Sequence, residues 1–223
     1  MTFLELCQAT RQECSIQGTG PSSVTSQTGL HKKIVDWVAK ADYRIQSLHP
    51  DWDFLWKLHE EDTNISSDTI VKPSDYGLWD RESFQLDRGD SDGTVLTFVP
   101  YIEWRSNPSE KENAKPALVT ILPNGNLSFQ APSDAIYAFS AYYWKTPTKL
   151  SDNTDESAIP ERFEDIIVVR AKMSFFEDIE SYDQLELAEK EYRERLLALE
   201  QFALPSNIVS GQSSPEQIIV RPV

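Results

Sequence analysis

The periodicity of the apolar residues changes twice along this chain of 223 residues, and that change restricts its fold more than any other feature. Between Thr2 and Cys14, the residues Phe3, Leu6, Cys7, Thr10 and Cys14 fall on one face at helical spacing. The loop Gly18-Thr19-Gly20-Pro21-Ser22-Ser23 cannot continue that helix. A second helix is expected over Thr28–Leu48, with Ile34, Val38, Ala41, Ile45 and Leu48 on its stripe and Trp37 widening it, until His49-Pro50-Asp51 stops it. From Trp52 to Thr146 the helical period disappears, and short extended runs alternate with turn residues.

Within that middle stretch, Glu82–Leu86 and Thr94–Val99 read as strands around the turn Asp87 to Gly93. The clearest hairpin is Ala117–Leu122, Pro123-Asn124-Gly125, then Asn126–Phe129, because Asn-Gly adopts positive φ at low cost. Ile136–Trp144 adds an aromatic strand with Tyr137, Phe139, Ala141 and Tyr143 on one side. The helical period returns after the polar linker Ser151–Ser157. Ile159-Pro160-Glu161 opens a third helix whose broad face of Phe163, Ile166, Ile167, Ala171, Ser174 and Phe175 suits a central position. A fourth runs from Ser181 to about Phe202, with Leu185, Ala188, Tyr192, Leu196 and Leu199 inward.

The expected fold class is therefore α+β. Residues 1–50 and 155–204 form a four-helix bundle from an N-terminal and a C-terminal pair, residues 51–154 an inserted antiparallel β-domain, and residues 205–223 an extended C-terminal tail. The tail ends in Gln217-Ile218-Ile219-Val220-Arg221-Pro222-Val223, whose three consecutive β-branched residues read as a strand with nothing after it to pair with.

Composition narrows the function. The chain is 39% hydrophobic, enough for a real core, and has no apolar run near the roughly 18 residues that a membrane span needs. Met1–Gln8 lacks a basic region followed by an apolar one, so the expectation is a protein that stays where it is made. With 36 acidic and 21 basic residues the formal charge is −15, which argues against reading or tracking nucleic acid by its phosphates. Cys7 and Cys14 read as reduced core residues, with no further ligands to make a metal pair. His31, His49 and His59 sit in no metalloprotease spacing, and no Ser or Cys occupies a nucleophile elbow. No cofactor is expected. Arg88-Gly89-Asp90-Ser91-Asp92-Gly93 holds fragments of adhesion and calcium motifs without the rest of a calcium loop, as a hydrophilic hairpin turn would.

Three segments carry a family resemblance: Leu48-His-Pro-Asp-Trp52, Leu122-Pro-Asn-Gly-Asn-Leu127 and above all Ile159-Pro-Glu-Arg-Phe-Glu-Asp-Ile-Ile-Val-Val-Arg-Ala-Lys-Met173. Phe3-Leu-Glu-Leu-Cys7 and Gly18-Thr-Gly-Pro-Ser22 leading into Ile34-Val-Asp-Trp-Val38 fit the same pattern. Over residues 1 to about 205 the chain resembles the head-to-tail adaptor, or connector, proteins of tailed bacteriophages, of the podovirus type. The resemblance implies a non-enzymatic structural protein of the virion neck, assembled in the host cytoplasm as a homo-oligomeric ring of about twelve copies under the portal protein. That ring extends the channel through which double-stranded DNA passes without specific binding, and offers a platform to a tail or nozzle protein.

On that reading, Ile218, Ile219, Val220, Arg221, Pro222 and Val223 are expected to bind the portal by adding a strand to a sheet edge or filling an apolar groove. The turns that carry Arg88, Asp90, Asp92, Glu110 and Lys111 are expected to contact the tail protein. Lys32, Lys33 and Lys40 of one subunit are expected to face Glu186, Glu189 and Glu194 of the next. Two other readings stay open on the residues alone. One is a tail accessory module that binds glycan through Trp52, Trp56 and the strand Tyr142–Trp144. The other is a cytoplasmic enzyme with a concave pocket of perturbed carboxylates.

Overall fold

The computed structural model describes residues 1–88, 93–106 and 112–204. The fold is mixed α and β, with five helices and two sheets among those residues. Contacts divide the described residues into two compact units: Met1–Phe54 with residues 148–204, and Leu55–Pro147.

The first unit is helical. Helix α1 (Phe3–Glu13) starts at a capping box, in which the Thr2 hydroxyl accepts from the Glu5 amide and the Glu5 carboxylate accepts from the Thr2 amide. It buries Phe3, Leu6, Cys7 and Thr10, the face its spacing predicts. Helix α2 (Gly29–Gln46) buries Ile34, Val38, Ala41 and Ile45. It stops two residues short of the predicted end, so Leu48 lies beyond the helix and is exposed rather than on its stripe. After a 3₁₀ turn at Glu161–Phe163, helix α4 (Asp165–Asp178) begins with Ile166, Ile167, Val168 and Val169 all buried. A run buried all round marks a helix covered on every side. Accordingly, α4 packs against α1, α2 and the long helix α5 (Tyr182–Ala203).

The predicted linker Ser151–Ser157 is an ordered clip on this unit. Asn153 accepts from the Val24 amide at 2.7 Å and the Ser23 hydroxyl at 3.2 Å, while the Phe3 amide donates to the Asp155 carbonyl at 2.7 Å. Hydrogen bonds from Ser151 and Asp152 hold the Asp155 carboxyl below its usual range, the backbone ones foremost. Buried Asp42 on α2 accepts from Gln46 and from the Ser157 hydroxyl, so a carboxyl group in an apolar stripe finds partners on its own helix and on the returning chain.

The second unit holds nine strands among the described residues. One sheet follows the order β1 (Trp56–Asp62), β9 (Ala138–Lys145), β4 (Gln85–Asp87), β5 (Thr94–Val95), with β3 (Tyr76–Trp79) also paired to β9. The other follows β2 (Thr69–Ile70), β8 (Leu127–Phe129), β7 (Leu118–Ile121), β6 (Thr97–Phe98). All pairings are antiparallel except β6 with β7. The sheets share one core that includes Trp79, Leu86, Val119, Phe129, Phe139 and Tyr143. The short helix α3 (Tyr101–Trp104) follows β6.

Two strand expectations are corrected here. Thr94–Val99 is not one strand, because the chain crosses from one sheet to the other at buried Leu96, whose amide donates to the Phe84 carbonyl. Glu82–Leu86 shrinks to β4, since Ser83 turns back through hydrogen bonds to Asp80. The hairpin forms as expected, although only Gly125 takes positive φ, at 87°. The Gly125 amide donates to the Leu122 carbonyl and the Leu122 amide to the Asn126 carbonyl, which is a three-residue loop closing on a bulge glycine.

Candidate interaction surfaces

Polar chemistry in the interior is structural. Burial pushes the thiols of Cys7 and Cys14 up to about 12, so both are inert at neutral pH. His49 faces Glu200 at 3.0 Å, His59 is ringed by Trp79, Phe139 and Tyr143, and His31 packs under the loop at Gly20. Among the described residues, no group of three His, Cys, Asp or Glu side chains is placed to hold a metal ion, and no helix is long and apolar enough to cross a membrane.

The helical unit presents a groove of about 380 Å³ between α2 and α4, lined by Trp37, Lys40, Arg44, Arg170, Glu177 and Asp178 among others. Lys40 and Arg44 lie one turn apart on α2, and Arg170 with Glu177 two turns apart on α4, so each helix aims one face at it. Sequence reasoning passed over Arg44 and Arg170. The available signal was Arg170 itself, a lone cation inside the apolar run Ile166–Ala171, which reads as a snorkelling surface residue unless its helix is known to be covered.

The predicted inter-subunit residues all lie on this unit. Lys32, Lys40, Glu186 and Glu194 are exposed, and Glu189 is half-buried. Lys33 already binds both oxygens of Asp178 on its own chain, at 2.6 and 2.8 Å. Along α5, Arg195 pairs with Asp165 and Glu191, and Lys172 bridges Glu13 and Glu191, so that side of the helix is neutralised within the chain.

On the β unit, strand alternation directs Trp56, Leu58, Tyr142, Trp144 and Leu78 to the face opposite the core. Trp56 is 45% and Leu58 46% exposed, and the Trp56 ring stacks on Tyr142 with centroids 4.2 Å apart. The Trp144 indole nitrogen is buried there without a hydrogen-bond partner among the described residues. Trp52, expected on the same platform, is fully buried in the helical unit instead. His49 and Phe54 cover its ring, and its indole donates to the Ile45 carbonyl. Tyr143 also points away from that face, into the core, where its hydroxyl donates to Asp75 at 2.7 Å. Asp75 is bound by Lys57 as well; burial raises its pKa, but the two hydrogen bonds outweigh that and hold it below the usual carboxylate range. A second groove, of about 500 Å³, is lined by Glu60, Glu61, Asp62 and Asp87 beside Leu86 and Phe139.

Arg88 is exposed just after β4. Asp90, Asp92, Glu110 and Lys111 lie outside the described residues, as do Ile218, Ile219, Val220, Arg221, Pro222 and Val223.

The family model described as SU10 adaptor protein matches residues 1–213. No protein of curated function matches the chain.

Proposed function

Because the chain belongs to the SU10 adaptor protein family, a family of bacteriophage adaptors, we propose that it is a head-to-tail adaptor assembled as a ring of about twelve copies below the portal. The observation that carries this reading is the family match over residues 1–213. As a virion component of the podovirus-type neck, the ring extends the DNA channel and bears the tail or nozzle protein. A formal charge of −15 suits a conduit past which DNA slides without sticking during ejection.

The parts divide accordingly. Helices α1, α2, α4 and α5 form the bundle that meets neighbouring subunits, through the charges of Lys32, Lys40, Glu186, Glu189 and Glu194. The turns near Arg88 and Glu110 of the β unit contact the tail protein. Gln217–Val223 docks on the portal, where Ile218, Ile219 and Val220 find the backbone partners that a lone strand lacks.

Electron micrographs of the purified protein, alone and mixed with portal, test this. Rings attached to portal are expected, and deletion of residues 206–223 should leave the melting of the remaining chain unchanged while weakening portal attachment by at least tenfold. A protein that stays monomeric with portal present overturns the adaptor reading, and undiminished attachment of the truncated chain overturns the role of the tail.

A further inference from the structure

We propose that the groove between α2 and α4 is an anion site that receives Glu194 from α5 of a neighbouring copy, with Arg44 and Arg170 as the receiving cations. The inference rests on the ring reading above and names the contact that would close it.

The groove holds more positive charge than its own chain neutralises. Lys40, Arg44 and Arg170 face two carboxylates, Glu177 and Asp178, and Asp178 is already held through both oxygens by Lys33. Among the described residues, no carboxylate lies within ion-pair distance of any of the three cations. The Arg170 Nη1 atom is buried and has no hydrogen-bond partner among the described residues. A guanidinium nitrogen removed from water without a partner is costly, and a carboxylate is the group that satisfies it best. With Asp178 taken up by Lys33, three cations face Glu177 alone, a positive excess that an incoming side-chain carboxylate reduces. A DNA backbone matches less well, since its closely spaced phosphates would bring further negative charge against Glu177 and the acidic remainder of the chain.

The complementary surface lies on α5. Asp183, Leu187, Lys190, Glu194 and Leu197 recur at helical spacing on one side, all exposed, with Leu187 at 63% and Leu197 at 51%. Exposed leucines on both sides of an exposed glutamate are unusual for a purely solvated face. Among the described residues Glu194 has no ion pair, unlike Glu191 one turn earlier. The spacing matches the groove. Leu187 and Glu194 are seven residues apart, as are Trp37 and Arg44, about 10 Å in each helix. With α5 of one copy parallel to α2 of the next, Leu187 meets the half-buried Trp37 and Glu194 meets Arg44 and Arg170, while Lys190 falls at the level of Lys40, three residues after Trp37. The two surfaces differ and occur on every copy, as a heterologous contact that closes a ring requires.

The test uses rings assembled on portal from a mixture of ¹⁵N-labelled and unlabelled full-length protein, coupled with a zero-length carbodiimide that joins amines to carboxylates in contact. Mixed-isotope cross-links between the Lys40 and Glu194 peptides are expected. Glu194→Arg or Arg44→Glu alone should reduce ring assembly by about tenfold or more, and a chain carrying both should recover most of it, a rescue that loss of folding would not permit. Rings cross-linked only through other pairs, or a double variant no better than the single ones, overturn this contact while leaving the ring intact. Failure of the unaltered protein to form rings on portal removes the adaptor reading and this inference with it. Binding of a short DNA duplex that is lost in Arg44→Glu and unaffected by Glu194→Arg would reassign the groove to phosphate.

Discussion

The helical unit and the β unit are each organised around one element that touches most of the others, helix α4 in the first and strand β9 in the second. A helix closes its own backbone hydrogen bonds, so α4 needs only apolar side chains to be covered by whatever packs there. A central strand has none of its own. The amides and carbonyls of β9 require β1 along one edge and β3 and β4 along the other, at a fixed register. The same centrality is therefore tolerant in one unit and exacting in the other.

Removing the central aromatic of β9 sharpens this difference most. Phe139→Ala takes away a ring packed on Phe84, just before β4, and on Phe129 of the other sheet, and is expected to cost about 4 kcal/mol. Ile167→Ala in α4, equally buried, is expected to cost about 3 kcal/mol, since methylenes lost from a helix can be partly closed over by its neighbours. Urea unfolding followed by circular dichroism measures both, and a larger loss from the helix than from the strand would invert the comparison.

A smaller effect is expected at the hairpin. Gly125 has φ of 87°, and a Cβ there would lie 2.8 Å from the Tyr76 ring, while its carbonyl accepts from the buried Trp79 indole. Gly125→Ala is expected to cost about 2 kcal/mol in the same assay. A neutral result would mean that the β unit adjusts its turns as freely as the helical unit adjusts its packing.

The smallest effect is a dependence on pH. Burial, and then the hydrogen bond to Asp75, push the Tyr143 phenol up to about 12 from an ordinary 10.0. The folded form keeps a proton that the unfolded chain loses first, so this contribution is complete below pH 10 and disappears as pH rises through 12. Asp75, held below 3.8, contributes above that value and loses its effect as pH falls through its lower folded pKa. Tyr143→Phe is expected to cost about 1 kcal/mol at neutral pH and to abolish this alkaline loss. Tyr76 in the β unit, and Cys7, Cys14 and Tyr192 in the helical unit, all raised by burial, give alkaline losses of their own that the substitution leaves in place. Urea midpoints measured from pH 7 to 12 on both proteins check this.

The candidate groove was only half legible. Lys40 and Glu194 stood out as charges on helical faces, because period alone separates the covered side of a helix from its exposed side. Arg44 and Arg170 did not, since a cation at the end of one stripe and another inside an apolar run look solvated until α2 and α4 are known to be neighbours. Strand β1 was missed for a related reason. Its sequence, Trp56 to Asp62, carries three acids and faces solvent along most of its length, as edge strands often do, so its alternation ends after two apolar residues, Trp56 and Leu58.

What the sequence by itself determined are the properties that depend on near neighbours: the stripes of α1, α2, α4 and α5, the inward side of β9, and the glycine that closes the hairpin. Tertiary structure alone decided the contacts between residues far apart in the chain. It turned the supposed linker into a clip on Val24 and Phe3, split Thr94–Val99 between two sheets at Leu96, buried Trp52 away from Trp56, and gathered Lys40, Arg44 and Arg170 on one groove. Local spacing fixes which way a side chain faces within its own helix or strand, whereas the group it meets is set by a partner segment up to a hundred and more residues away, which no local pattern encodes.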